Sequence, residues 1–139
     1  MRFHFLLNPA AGKGEAPRLG ARAAAAFQEG GRDCTLYTTA GPGDGARYIR
    51  QELARRPGEE AVFFACGGDG TVREAAQGLR DQKGGILGIL PCGSGNDLVK
   101  SFSGRDFGDL PAQLAGDVAP VDLIDFCGRT VVSLCNCGL

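Results

Sequence analysis

Residues 61–77 read AVFFACGGDGTVREAAQ, and this stretch decides the fold. It opens on a continuous apolar run, Ala61-Val62-Phe63-Phe64-Ala65-Cys66, closed by glycines. A short run of this kind marks a strand buried on both faces. Gly67, Gly68 and Gly70 then surround Asp69. Such a cluster admits backbone angles closed to other residues and lets a ligand touch the main chain. Val72, Ala75, Ala76 and Leu79 follow at helical spacing. A strand, a tight turn and a helix start make an anion site, because unpaired N–H groups and the helix dipole point at the turn. A carboxylate does not improve a bare phosphate site, so Asp69 implies a bound cation or a hydroxyl to be oriented. The plainer reading is a joint in which the glycines only permit the bend.

Working outward, residues 2–8 form a first strand that Asn8-Pro9 ends, and 10–14 a loop. Residues 15–29 are an alanine-rich helix stopped by Gly30-Gly31. Residues 33–39 are a second strand. After the Gly41-Pro42-Gly43 turn, Asp44 can cap a helix running through Arg55, which Pro57-Gly58 closes. The third strand covers 60–66 and its helix 71–81. A fourth strand covers 85–90, a turn 91–97, and short helices 97–102 and 109–115, the latter capped by Asp109. Helices alternating with apolar strands predict a three-layer α/β fold: an open, mostly parallel, Rossmann-like sheet with helices on both faces. From residue 118 the pattern changes. Residues 118–126 and 130–137 are strand-like around Cys127-Gly128-Arg129, a hairpin signal.

A chain of 139 residues with a net charge of −1 suffices for one compact domain and carries no general basic field for nucleic acid or an anionic membrane. The 23 glycines cluster at junctions instead of repeating with a period. No apolar run reaches transmembrane length. Of six cysteines, all but Cys92 lie in apolar strand-like runs, and no signal peptide precedes them, which reads as a reduced, cytoplasmic chain. Cys135-x-Cys137 places two thiols on one strand face without a second ligand pair at zinc spacing.

The polar residues gather at strand ends. Asn8 ends the first strand and Thr39 the second; the Gly67–Thr71 turn ends the third, and Ser94 lies past the fourth. In an open parallel sheet these ends share one rim, where ligands bind. Asn8 also reads as an Asx-turn before Pro9, and Asn96-Asp97 as a helix cap. Lys13 does not complete a P-loop, because Gly14 follows it. Residues 41–46, GPGDGA, fit the dinucleotide pattern, with Glu60 downstream. Pro42 removes an N–H from that cradle, and the unit is the second of its kind. A dehydrogenase built there is the competing reading. His4, the sole histidine, sits in a strand and reads as structural.

GGDGT ahead of a helix, then Leu90-Pro91-Cys92-Gly93-Ser94-Gly95-Asn96-Asp97, with Asn8-Pro9-Ala10-Ala11-Gly12 near the start, resembles the diacylglycerol kinase catalytic domain family, which includes bacterial lipid kinases and sphingosine kinases. The likeness runs over essentially the whole chain. It implies an N-terminal ATP-binding domain at 1–117 and, at 118–139, a hairpin that opens a second, β-rich domain. It further implies that the chain is a piece of a longer kinase, inactive alone. By resemblance, the ATP contacts are Asn8, Thr39, Gly67, Gly68, Asp69, Gly70, Thr71, Val72, Arg73, Glu74, Gly93, Ser94, Asn96 and Asp97. Asp69 would hold Mg2+, directly or through water, or polarise the acceptor hydroxyl. Arg73 stands where the family often has Asn, and Ser94 replaces a more usual Thr. The partners implied are ATP and a lipid, met through transient membrane-surface contact, with no nucleic acid and with a second copy pairing at the hairpin edge. A sphingoid-base or NAD kinase-like acceptor, or a nucleotide-binding module without catalysis, are the alternatives.

Overall fold

The computed structural model describes residues 1–133. Strands β1 (Arg2–Leu7), β2 (Cys34–Thr38), β3 (Ala61–Gly67) and β4 (Gly85–Pro91) alternate with helices α1 (Glu15–Glu29), α2 (Asp44–Arg55) and α3 (Asp69–Leu79). The four strands form one parallel sheet in the order β2-β1-β3-β4. Short helices α4 (Asp97–Lys100) and α5 (Leu110–Ala115) and an antiparallel hairpin, β5 (Ile124–Phe126) with β6 (Arg129–Val131), complete the fold. The expected three-layer α/β architecture is present.

Burial follows from this order. The central strands β1 and β3 are buried at every residue, while the flanking β2 is mostly exposed. Alternate side chains then feed two cores, since successive residues of a strand point to opposite faces. Phe3, Phe5, Leu7, Val62, Phe64 and Cys66 pack under Ala24 and Phe27 of α1 and Leu110 of α5. Leu6, Phe63 and Ala65 pack under Tyr48, Ile49 and Leu53 of α2 and Val72 and Ala75 of α3. Phe5 and Phe64 stack at 4.9 Å, with Phe27 edge-on to both. Each such fully buried ring contributes about 1.5–3 kcal/mol of transfer free energy.

His4 reads as structural from its place in a strand, and its contacts give it that setting. It is 2 % exposed, stacks on Phe63 at 4.7 Å, and lies 2.9 Å from the Tyr48 hydroxyl through Nδ1. Arg2 Nη1 lies 3.5 Å from the other ring nitrogen and 3.4 Å from Glu52. The tautomer that suits both neighbours carries its proton on Nδ1 and leaves Nε2 bare toward the guanidinium. Burial, and then the charge on Arg2, push the His4 pKa down to about 4.

Gln113 of α5 closes the β4 flank. Its Nε2 donates to the Ile89 carbonyl at 2.7 Å and to that of Phe107 at 2.6 Å, and its Oε1 accepts from the Ile89 N–H at 3.4 Å. One side-chain amide thus meets the backbone groups an adjoining strand would have met. The hairpin rests on α3: the Thr130 N–H donates to Gln77 Oε1 at 2.7 Å, and Arg80 reaches Asp125 at 2.6 Å.

Several boundaries differ from expectation. The loop at 10–14 contains a 3-10 turn, Ala11–Gly14. Helix α2 is capped by Gly43, which adopts φ 84°, and not by Asp44. Asp44 is already inside the helix and accepts from the Ala40 N–H at 2.9 Å and the Tyr37 hydroxyl at 2.8 Å. Those bonds and Arg47 hold its carboxyl down to about 2. Asp109 does cap α5, accepting from the Ala112 N–H at 3.0 Å. The strand expected at 118–126 shrinks to Ile124–Phe126. Pro120 lacks the N–H a ladder needs, and Val118 and Val121 stay 69 % and 47 % exposed without a surface to cover them. The helix expected at 97–102 stops at Lys100. Cys127 occupies an exposed hairpin turn at φ 51° and not an apolar strand. The far end of the strand expected at 130–137, with Cys135 and Cys137, lies outside the described residues. Among the described residues no helix is long and apolar enough to cross a membrane.

Candidate nucleotide site at the strand tips

The chain leaves β1 to form α1 on one face of the sheet and leaves β3 to form α3 on the other. β1 and β3 are neighbours, so their carboxyl ends flank the point where the winding reverses. In open α/β sheets a crevice opens there, and ligands bind in it. Asn8 stands at one lip and the glycine turn at the other.

Asn8 makes the expected Asx-turn and also ties the two lips together. Its Oδ1 accepts from the Ala10 N–H at 3.0 Å, an Asx-turn, while its Nδ2 donates to Thr71 Oγ1 at 3.1 Å. Thr39 is tied to the end of β1, its N–H and hydroxyl both donating to the Leu7 carbonyl, at 2.9 and 3.2 Å. α3 starts at Asp69, two residues earlier than its pattern suggests, because extended Gly68 acts as a cap without a side chain. The N–H groups of Asp69 and Gly70, the first two of the helix, therefore have no partner within it. Gly67 is obligatory here: a Cβ on it would overlap the Thr71 side chain.

The β4 turn closes over this one. The Cys92 N–H donates to the Gly67 carbonyl at 3.0 Å. A Cβ on Gly68 would come within 3.1 Å of the Gly93 Cα, so two glycines let the backbones touch. Asn96, in the left-handed region at φ 55°, accepts from the Gly93 N–H at 3.1 Å and returns a bond to its carbonyl at 2.7 Å. The Asp97 N–H donates to Asp69 Oδ1 at 2.6 Å, so Asp69 links the two turns and its Oδ2 remains toward Gly95. Asp97 pairs with Lys100 at 3.6 Å.

Asn8, Thr39, Gly45, Gly70, Thr71 and Glu74 line a small hollow of about 40 Å³. The structure thus brings the expected tips together, with Asp69, Gly93, Asn96 and Asp97 adjoining. Three residues lie elsewhere. Val72 is 3 % exposed in the core under α3 and its N–H donates to the Gly68 carbonyl at 3.1 Å, because its position in the helix turns it inward. Arg73 and Ser94 are exposed. Glu74 accepts from the Gly45 N–H at 2.7 Å. Gly12 and Gly45 escaped the sequence reading as site residues. Gly12 adopts φ 61° and lies hard against the Cys92 carbonyl. The Asn8–Gly12 run held a signal for it. Gly45 was read only within the dinucleotide pattern. That pattern follows an edge strand, β2, and its Gly45 amide is already occupied by Glu74.

Among the described residues no three His, Cys, Asp or Glu side chains gather to hold a metal. A Mg2+ ion does not require such a cage, since it commonly binds one or two carboxylates and completes its shell with waters and substrate phosphates. Asp69, with one oxygen uncommitted beside unpaired N–H groups, fits that arrangement. A larger groove of about 440 Å³ lies on the far face between α1 and α5, away from every strand tip.

Fold and site together define a doubly wound α/β domain with a glycine-rich strand–turn–helix at its switch point. The family model for the diacylglycerol kinase catalytic domain matches residues 2–126, and the chain belongs to that family. It is 32 % identical over 124 residues to a Pseudomonas aeruginosa PAO1 protein named "Probable lipid kinase YegS-like", covering 84 % of this chain and 38 % of that one. It is 36 % identical over 102 residues to "Probable lipid kinase YegS" of Escherichia coli O9:H4, covering 70 % and 33 %. A crystal structure of a diacylglycerol kinase from Bacillus anthracis str. Sterne superposes with a TM-score of 0.66 at 28 % identity, covering 93 % of this chain and 47 % of that one. The chain spans about a third of the length of these curated relatives.

Proposed function

We propose that the chain is the ATP-binding part of a lipid kinase that transfers the γ-phosphoryl of ATP to a diacylglycerol-type hydroxyl. Residues 1–117 form the nucleotide-binding domain and 118–139 open a second domain that carries the acceptor. The observation that supports this most is the meeting of Asn8, Thr39, the Gly67–Thr71 turn and the Gly93–Asp97 turn at the switch point. Phosphoryl transfer needs positioning and charge neutralisation above all. The N–H groups of Asp69 and Gly70, at the positive end of the α3 dipole, receive phosphate oxygens. Asn8, Thr39, Gly67, Gly68, Thr71, Gly93, Asn96 and Asp97 shape the crevice. Ser94 and Arg73 reach the nucleotide from its exposed rim, and Val72 supports the turn from the core. Asp69 would hold magnesium, directly or through water, and the ion would supply neutralising charge. As the acceptor oxygen bonds to the γ-phosphorus, the bond to the ADP oxygen breaks and the acceptor's hydroxyl proton passes to a base that the second domain would supply.

In this reading the protein works in the cytoplasm, meets lipid transiently at a membrane surface and takes no nucleic acid. The hairpin edge, with Ile124 and Phe126 half exposed, offers a second copy a strand to pair with. The test is ATP–Mg2+ titration of the chain, with turnover measured on the longer protein against diacylglycerol, a sphingoid base and NAD. Wild type binds nucleotide; Asp69→Ala lowers turnover by on the order of 10³-fold while circular dichroism stays unchanged. Absence of nucleotide binding defeats the reading. Near-normal turnover of Asp69→Ala removes that carboxylate from the chemistry, and binding without turnover on any acceptor favours a non-catalytic module.

A further inference from the structure

We propose that Glu74 is a positioning residue, which acts through the Gly45 amide to hold the β2–α2 loop against the α3 turn and so sets the width of the hollow at the strand tips. This rests on the nucleotide-binding reading above and narrows it, since the family resemblance groups Glu74 with direct ATP contacts.

The first N–H groups of a helix need acceptors from outside it. α2 has Gly43 as its cap, with no side chain to offer. The carboxylate of Asp44 is committed to the Ala40 N–H, the Tyr37 hydroxyl and Arg47. The acceptor for the Gly45 N–H comes instead from Glu74, on the neighbouring helix, at 2.7 Å. A carboxylate at a helix N-terminus meets both an N–H and the dipole, and such charge-assisted bonds are the stronger kind.

The packing is cut to this bond. A Cβ on Gly45 would stand 2.9 Å from Glu74 Oε1 and 3.4 Å from the Thr39 methyl, so glycine is what lets the carboxylate and Thr39 both approach. Four residues along the same face of α3, Gly78 brings that helix onto α2: a Cβ there would stand 2.8 Å from the Ala46 Cα. Across the hollow, Asn8, Thr39 and Gly45 face Gly70, Thr71 and Glu74. Two bonds join these walls: Asn8 to Thr71 at 3.1 Å and Gly45 to Glu74. A carboxylate left free beside a phosphate group would repel it; paired with the α2 N-terminus, Glu74 holds the wall without that opposition.

The experiment follows the Gly45 amide by 15N-resolved hydrogen exchange in the chain and titrates ATP–Mg2+ into wild type, Glu74→Gln and Glu74→Ala. Glu74→Gln keeps the acceptor oxygen: Gly45 stays protected and the ATP Kd stays within about threefold. Glu74→Ala removes it: Gly45 exchange accelerates and Kd rises by about tenfold. Should Glu74→Ala fail to fold, Glu74→Asp, one methylene short of Gly45, replaces it with the same expectation. Equal weakening by Gln and Ala overturns the proposal, because the charge itself then meets ligand or metal. So does wild-type Gly45 exchange in Glu74→Ala. If wild type binds no ATP, the functional reading fails, while the exchange comparison still decides whether Glu74 holds the loop.

Discussion

Acidification between pH 7 and pH 5 is expected to weaken this fold through a single side chain, His4. The imidazole is 2 % exposed, stacked on Phe63 and faced by the Arg2 guanidinium. Its pKa falls from 6.5 in the unfolded chain to about 4 in the fold. A histidine with a depressed folded pKa binds its proton in the unfolded state first, so stability is lost as pH falls below 6.5 and the loss is complete below 4. The gap bounds the effect at about 3 kcal/mol, of which about 2 kcal/mol is lost between pH 7 and pH 5. That is a large part of a total stability of roughly 5–15 kcal/mol. With a urea m-value of about 1.5 kcal/mol/M, the midpoint drops by about 1 M on this account. The assay is urea unfolding at pH 7, 6 and 5 for wild type and His4→Phe. The variant keeps a stacked ring but cannot titrate; it starts less stable, having lost Tyr48, yet its midpoint falls less with pH. Carboxylates titrating in both proteins cancel in the comparison. Identical pH slopes for the two would refute the reasoning.

Two further outcomes are open to direct measurement. Gly78→Ala gains about 1 kcal/mol of helix propensity but overpacks α3 on the α2 backbone, which costs about 1–3 kcal/mol, so the net expectation is a lower thermal midpoint and a raised midpoint counts against the close approach. Burial pushes the Cys66 thiol far above its ordinary range, whereas Cys127 is exposed in the hairpin turn. Peptide mapping after alkylation of the native chain is expected to find Cys127 modified well before Cys66, and the reverse order would contradict the burial of β3.

The fold was legible wherever a local signal and the tertiary environment agreed. The run 61–66 is apolar because β3 is central and buried on both faces, so its composition alone announced its place. The Gly67–Gly70 cluster announced the turn, because two of its glycines, Gly67 and Gly68, lie where neighbours leave little room for a side chain. The strand order was not legible: nothing in the sequence says that β1 pairs with both β2 and β3, and the switch point follows only from that pairing. Strength of a local signal also misled. Asp44 has the chemistry of a cap, yet Gly43 takes that position because its φ of 84° admits the entering chain. Residues 118–126 are apolar enough for a strand, but apolarity makes a strand only where a partner exists, and Pro120 interrupts the ladder. In the site, residue type was readable and partnership was not. Asp69 was expected to face a cation or a hydroxyl, and one of its oxygens is given to the Asp97 amide. Glu74 finds its partner 29 residues away, beyond any local pattern.

Gln113 gives the sheet two unlike flanks. At β4, the backbone groups of Ile89 that could recruit a foreign strand already answer to an amide from the same molecule. At β2, the one comparable contact among the described residues is weaker, with Gln28 Nε2 donating to the Cys34 carbonyl at 3.4 Å from an exposed position. Lengthening of the four-stranded sheet by domain swapping or fibril-like stacking is therefore a directional hazard, favoured at β2 and blunted at β4. Truncating Gln113 would give that growth a second front.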